Sequence, residues 1–204
     1  MATLITDPEL EQRVRTERAG WGIDRYDEVW DGTYMLTPLP NLEHAEIQTK
    51  FVAVFRAALG FEGPAHVYGG INISDRAEDW LGNYRCPDAA IVLPGNPGRN
   101  CGAYFLGGPD FVVEIVSPHD KSRDKIAFYE SLGVREFLVV DRNPWMLELY
   151  RLRDGRLELV GQSRLERANL LASTVLPVTL RLTPGSPRPR IDVRHADGLQ
   201  HWLV

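Results

Sequence analysis

The chain has 204 residues, too few for two full-sized domains but enough to bury a core without disulfide or metal staples. Hydrophobic residues make up 44% and charged residues 25%, ordinary globular usage that excludes global disorder. The 23 basic and 28 acidic side chains leave a formal charge of −5, which excludes a protein that coats nucleic acid by bulk electrostatics but not one with a local basic groove.

The first predicted element is a mostly polar helix over residues 8–19, with Pro8 at a permitted first-turn position and Gly20 as its stop. Residues 1–24 therefore read as a helical arm on the surface. Acids and bases run through this region without an apolar stretch, and no later run approaches the ~18 residues of a bilayer span. The expectation is a soluble, cytoplasmic protein with no membrane partner. Residues 25–36 read as two short strands around Asp31-Gly32, a strong hairpin signal. A loop leads into a helix over 43–59, where Ile47, Phe51, Val54, Phe55 and Ala58 form one apolar stripe between Asn41 as N-cap and Gly60 as C-cap.

Strands are expected from Ala65 to Ile73, over 88–93, 111–116 (FVVEIV) and 136–141, and in a hairpin turning on Asp154-Gly155. Residues 74–84 and 94–109 read as loops, and 120–132 as a helix ending at Gly133. Near-continuous apolar strands are buried on both faces, so the pattern implies an α/β fold: a mixed sheet of four or five strands flanked by helices, with an added antiparallel hairpin layer. The Pro- and Arg-rich stretch 184–204 reads as an extended tail beyond a domain over 25–183.

The chemistry is suggested by where the acids fall. Asp88 opens one apolar strand and Glu114 sits inside another. A carboxylate among apolar neighbours is costly unless it is paired, hydrogen-bonded or bound to a cation, so Glu114 is either a satisfied structural acid or a site residue. Lys121, Lys125 and Tyr129 follow at spacings of four and share one helical face. Two carboxylates and a lysine suit metal-assisted phosphodiester hydrolysis, in which carboxylates hold a hard divalent cation; the plain alternative for the lysines is a solvated helix face. Ser117, His119 and Asp120 form a tempting nucleophile–base–orienter run, but neighbours around a proline turn seldom converge as a triad does. The glycines from Gly95 to Gly108 lack a phosphate-loop spacing. Cys86 and Cys101 read as two reduced thiols, Cys86 as a small buried residue.

These segments, taken in order, resemble the Uma-two family of bacterial restriction endonucleases, part of the PD-(D/E)XK nuclease superfamily. The resemblance runs over about residues 25–151: YDEVWDGTYMLTP as an opening hairpin, EHAEIQTKFVAVFRAAL as a first core helix introduced by His44, RCPDAAIVLP as a Pro-Asp strand, and FVVEIVSPHDKSRDKIAFYESLGVREFLVVD as the best-matching stretch. The resemblance implies a restriction-endonuclease-like core and a DNA-cleaving activity with Mg²⁺ (or Mn²⁺); a homodimer is expected in turn, because double-strand cutting with one active site per chain favours a two-fold pair. Asp88 and Glu114 then match the metal-binding acids, with the backbone carbonyl of Ile115 as a third oxygen. The plain motif places its lysine two residues after the acid, where this chain has Val116. Lys125 matches the family's replacement, with Lys121 as the fallback; His44 and Tyr129 match supporting positions. Whether Glu28 or Glu46 adds a carboxylate is left open. So are two other readings: a nuclease fold that binds nucleic acid or a protein partner without cutting, and hydrolysis of a small phosphoester, which calls for a closed pocket too narrow for a duplex.

Overall fold

The structure is a computed structural model that describes residues 3–5, 7–117 and 121–204, with the backbone alone for Thr3 and Leu4. After β1 (Thr3–Leu4), helix α1 (Pro8–Trp21) begins on Asp7, whose carboxylate accepts from the amides of Glu9 and Leu10. It ends at Gly22, in the left-handed conformation, rather than at Gly20. No residue of α1 is buried, in keeping with its polar sequence. The helix is tethered by Arg18, which donates from Nε to Asp27 (2.6 Å) and from Nη2 to the carbonyls of Ile23 and Thr37.

Strands β2 (Glu28–Trp30) and β3 (Thr33–Leu36) pair across Asp31-Gly32, both at positive φ (48° and 82°), as a two-residue Asp-Gly turn requires. Helix α2 (Leu42–Leu59) follows, with Asn41 accepting from the amide of His44 and Gly60 closing the far end. Its expected stripe is buried except for Ala58, which is partly covered: Ile47, Phe51 and Phe55 are fully enclosed, each contributing about 1.5–3 kcal/mol of apolar burial.

The chain then makes β4 (His66–Tyr68), β5 (Ile73–Ser74), a 3-10 turn at Trp80–Gly82, β6 (Tyr84–Arg85), β7 (Ala89–Val92), β8 (Arg99–Asn100) and β9 (Phe105–Leu106). The single strand expected over 65–73 is therefore split in two, and the loop expected over 94–109 contains two short strands. Two residues are too few to carry a periodic signal. Next come β10 (Phe111–Ile115), a 3-10 turn (Ser122–Lys125) and α3 (Ile126–Ser131). The helix expected over 120–132 thus has a tight first turn and a short α-helical body. The remaining strands are β11 (Glu136–Arg142), β12 (Trp145–Arg153), β13 (Arg156–Arg164), β14 (Leu171–Ala172), β15 (Val178–Thr183), β16 (Arg190–His195) and β17 (His201–Leu203).

These strands form three sheets. The central one has six strands in the order β13-β12-β11-β10-β7-β4, with β10 and β11 parallel and the other pairs antiparallel. The second has seven strands in the order β1-β3-β2-β6-β5-β9-β8, and the third has four, β14 to β17 in sequence. Side chains on β10 alternate between two apolar layers. Phe111, Val113 and Ile115 join the layer built with α2 and the four-stranded sheet, whereas Val112 joins Phe128 and Tyr129 of α3. By the same alternation Glu114 points toward α3. The fold is mixed α/β, with mixed sheets flanked by few helices.

Residues 184–204 depart from the expected tail. They supply β16 and β17, and Ile191, Val193 and Val204 are fully buried in the main core. The alternation of Ile191 and Val193 fixes that face inward. Among the described residues no helix is long and apolar enough to cross a membrane.

Candidate active site

The site lies at the carboxyl end of the parallel pair β10–β11, the edge where open α/β sheets present ligands. Strands β10 and β7 are antiparallel with Val113 opposite Ala89, so one further step of that register brings Glu114 level with Asp88. Both carboxylates are buried, Asp88 at 8% and Glu114 at 4% exposure.

Asp88 is clamped from two sides. Its Oδ2 accepts from the Ile115 amide at 2.6 Å, and its Oδ1 shares a 2.6 Å hydrogen bond with Nε2 of His44. His44 sits in the first turn of α2, and one turn later Gln48 donates from Nε2 to the Asp88 carbonyl at 2.9 Å. The spacing of four places both side chains on one helical face, so α2 grips both the backbone and the carboxylate of Asp88. The other imidazole nitrogen of His44 lies 3.3 Å from Ser117 Oγ.

Glu114 is held by α3 and the turn before it. Lys125 donates to both carboxylate oxygens, at 3.0 and 2.9 Å, and Tyr129 donates to Oε1 at 2.6 Å. Arg123 anchors this turn to the sheet, donating to Glu148 at 2.8 Å and to Asp141 at 3.1 Å. Burial, followed by the charges of Glu114 and Glu28, pushes the Tyr129 hydroxyl well above its ordinary pKa, so it stays a neutral donor. The spacing argument thus holds for Lys125 and Tyr129. Lys121 precedes the tight turn and, unlike the other two, is exposed where it lines the cavity.

A third carboxylate completes the arrangement. Glu28 Oε1 accepts from Lys125 at 2.7 Å and from the Cys86 amide at 2.8 Å, and its Oε2 accepts from the Trp30 indole at 2.7 Å. Lys125 therefore bridges two buried glutamates from different sheets. The question left open by the sequence is resolved: Glu28 enters the site, whereas Glu46 lies on the outer face of α2 with Lys50 at 2.6 Å and Arg188 at 3.8 Å. The alternation Glu28-Val29-Trp30 placed Glu28 and Trp30 on one side of a hairpin strand, but no local pattern linked that strand to a lysine almost a hundred residues later.

Asp88, Glu114, Glu28, His44, Ile115, Lys121 and Lys125 all line one cavity of about 320 Å³. Apolar side chains line it as well: Trp30, Met35 and the Pro38-Leu39-Pro40 loop. The Arg85 guanidinium lies between the rings of Trp30 and Phe128, at 4.5 and 4.3 Å from their centroids. Burial pushes the Cys86 thiol above its ordinary range, so it stays a protonated, weakly nucleophilic thiol. Among the described residues, no group of three or more His, Cys, Asp or Glu side chains forms a metal cage. His119 and Asp120 lie outside the described residues.

No curated protein matches the chain. Among solved structures, it is similar to the crystal structure of "a putative nuclease belonging to DUF820" from Anabaena variabilis ATCC 29413. That match has a TM-score of 0.57 and 18% identity and covers 72% of this chain and 80% of that one, a likeness of fold. The model of the Uma2 family, described as "Putative restriction endonuclease", matches residues 23–185, so this chain belongs to that family.

Proposed function

We propose that the protein is a divalent-metal-dependent endonuclease of the PD-(D/E)XK type that hydrolyses phosphodiester bonds in DNA. One observation carries the reading: Asp88 and Glu114 come level on neighbouring strands beside the Lys125 ammonium, and all three line one cavity. The donor set fits a hard cation, because Asp88 and Glu114 offer carboxylate oxygens. Mg²⁺ retains several waters and is commonly held by one or two carboxylates, so a full protein cage is not required. Asp88, Glu114 and the Ile115 carbonyl would hold the ion; Mn²⁺ suits the same oxygens. When bound, it supplies Lewis-acid polarisation of a phosphoryl oxygen and a water of lowered pKa.

The remaining work falls to the chain. His44 and the Ile115 amide fix the Asp88 carboxylate before substrate arrives, and Tyr129 does the same for Glu114. Lys125, steadied by Glu28 and largely buried, sets a positive charge in the cavity, where it counters charge developing on the phosphoryl oxygens. Lys121, exposed at the cavity wall, attracts the incoming phosphate. Two copies related by a two-fold axis would give one site for each strand of a duplex.

The competing reading, a nuclease fold that binds nucleic acid or a protein partner without cutting, draws on a different observation. Both oxygens of Glu114 are engaged by Lys125. Incubating supercoiled, linear and single-stranded DNA with Mg²⁺, Mn²⁺ or EDTA separates the two, with Glu114→Ala as control. Metal-dependent nicking that disappears in the variant is the expected result. No cleavage in either metal, or cleavage that survives Glu114→Ala, sinks the enzyme reading and favours binding alone.

A further inference from the structure

We infer that the cavity beside Asp88 and Glu114 is a binding site for a nucleoside phosphoester whose base is unpaired. The acid-and-lysine end takes the phosphoester and the apolar end takes the base. The first half rests on the reading above; the second stands on the shape and lining of the cavity.

At about 320 Å³, the cavity lies at the small end of sites that take one compact ligand. It has room for one nucleoside unit and not for a base pair. The charged groups are also largely enclosed: Asp88, Glu114 and Lys125 are each 8% exposed or less. A strand that enters the cavity brings its own nucleoside with it, and that base must leave the stack, as in enzymes that draw a base into a fitted pocket.

The apolar part of the lining points the same way. Trp30, Met35, Pro38, Leu39 and Pro40 line the same cavity as the acids. A hydrated ion or a bare phosphate gains nothing from such a lining, whereas the face of a base does. The Trp30 indole is braced for that role by the Arg85 guanidinium and by its hydrogen bond to Glu28. An unpaired nucleoside phosphoester can come from a single-stranded or bulged nucleic acid or from a free nucleotide, and the chemistry of recognition is shared.

The test measures equilibrium binding with Ca²⁺, a hard cation with the same preference for oxygen, after a gel confirms that the probes remain uncut. The probes are a short fluorescent single strand, its blunt duplex, and that duplex carrying one central unpaired thymidine, with thymidine 5′-monophosphate as competitor. The single strand and the bulged duplex are expected to bind about tenfold tighter than the blunt duplex, the scale of one stacked base. Trp30→Ala should erase that ratio. Leu39→Ser, at a 57% exposed position where folding is not at risk, should reduce it. Competition by the mononucleotide at concentrations matching the strand supports a free nucleotide as the natural source; absence of competition with the ratio intact supports a strand. Equal binding of blunt and bulged duplex, or a ratio unchanged in both variants, overturns the inference. If no probe is cut in Mg²⁺ or Mn²⁺ while the ratio persists, the nuclease reading fails and the nucleoside site stands.

Discussion

Glu114 and Glu136 are both buried glutamates on the central sheet, one on each member of its parallel strand pair, and they have opposite surroundings. Glu136, at the start of β11, is wholly enclosed. It accepts from Arg151 Nε at 2.8 Å, from the amide and hydroxyl of Thr174 at 3.0 Å each, and from the Ser173 hydroxyl. These short, fixed donors staple the loop before β15 to the central sheet. Glu114, near the end of β10, meets a lysine, a tyrosine and an open cavity. Burial of a carboxylate therefore does not mark a site by itself. What separates the two is whether the donors close around the acid or leave it facing a space that another molecule can enter.

The sharpest way to break this contrast is to remove each acid in turn. Glu114→Ala is expected to lower DNA cleavage on the order of 10³-fold with a smaller loss of folding stability than Glu136→Ala, since Glu28 still pairs Lys125 and only Tyr129 is left without this acceptor. Glu136→Ala should do the reverse. Four donors lose their acceptor, which costs about 3 kcal/mol and lowers the thermal midpoint by roughly 6–12 °C, while activity per folded molecule is kept. Cleavage assays and thermal melts on both variants check the pair, and similar effects in the two would erase the distinction.

A smaller effect is expected from Lys125→Met, which preserves bulk but removes the charge between Glu28 and Glu114. Cleavage should fall about 10²-fold, because the fixed positive charge is lost while the Asp88 clamp is untouched. Full activity in this variant would move the role to Lys121 and turn Lys125 into a second structural tie. The mildest change is Tyr129→Phe. Losing one donor to Glu114 should cost about tenfold in rate, near the net worth of a hydrogen bond to a charged group. The variant also has a pH signature. The Tyr129 pKa is raised in the folded state, so its contribution to stability is complete below the unfolded value near 10 and is lost as pH climbs toward the folded value. Wild type should therefore lose stability above about pH 10 more steeply than Tyr129→Phe, as urea unfolding at pH 8 and pH 10.5 would reveal.

Much of the fold was legible because it follows local rules. The stripe of α2, its caps at Asn41 and Gly60, and the turns at Asp31-Gly32 and Asp154-Gly155 are all set by residues within a few positions of each other. The strands β16 and β17 were not legible in the same way. Ile191 and Val193 alternate correctly, and Asp197-Gly198 is a turn signal, but the Pro- and Arg-rich run before them read as an end to ordered structure. The site divides along the same line. The encounter of Lys125 and Tyr129 with Glu114 follows from strand alternation and helical spacing. The arrival of Glu28 depends on how two sheets meet, which no spacing encodes. The tight turn at Ser122–Lys125 also broke the continuous face that would have carried Lys121 inward.

The Glu28–Lys125 pair joins the β2–β3 hairpin, which forms one wall of the cavity, to the turn that forms another. Swinging the hairpin outward would strand an ammonium that is only 8% exposed and has lost one of its two glutamates. Parting this pair while Glu114 still holds Lys125 costs up to about 3 kcal/mol, which keeps such an open form a small minority. The width of the cavity is thus a rigid dimension, and the mouth beside Leu39 and Lys121, rather than a breathing wall, sets the gauge for whatever enters.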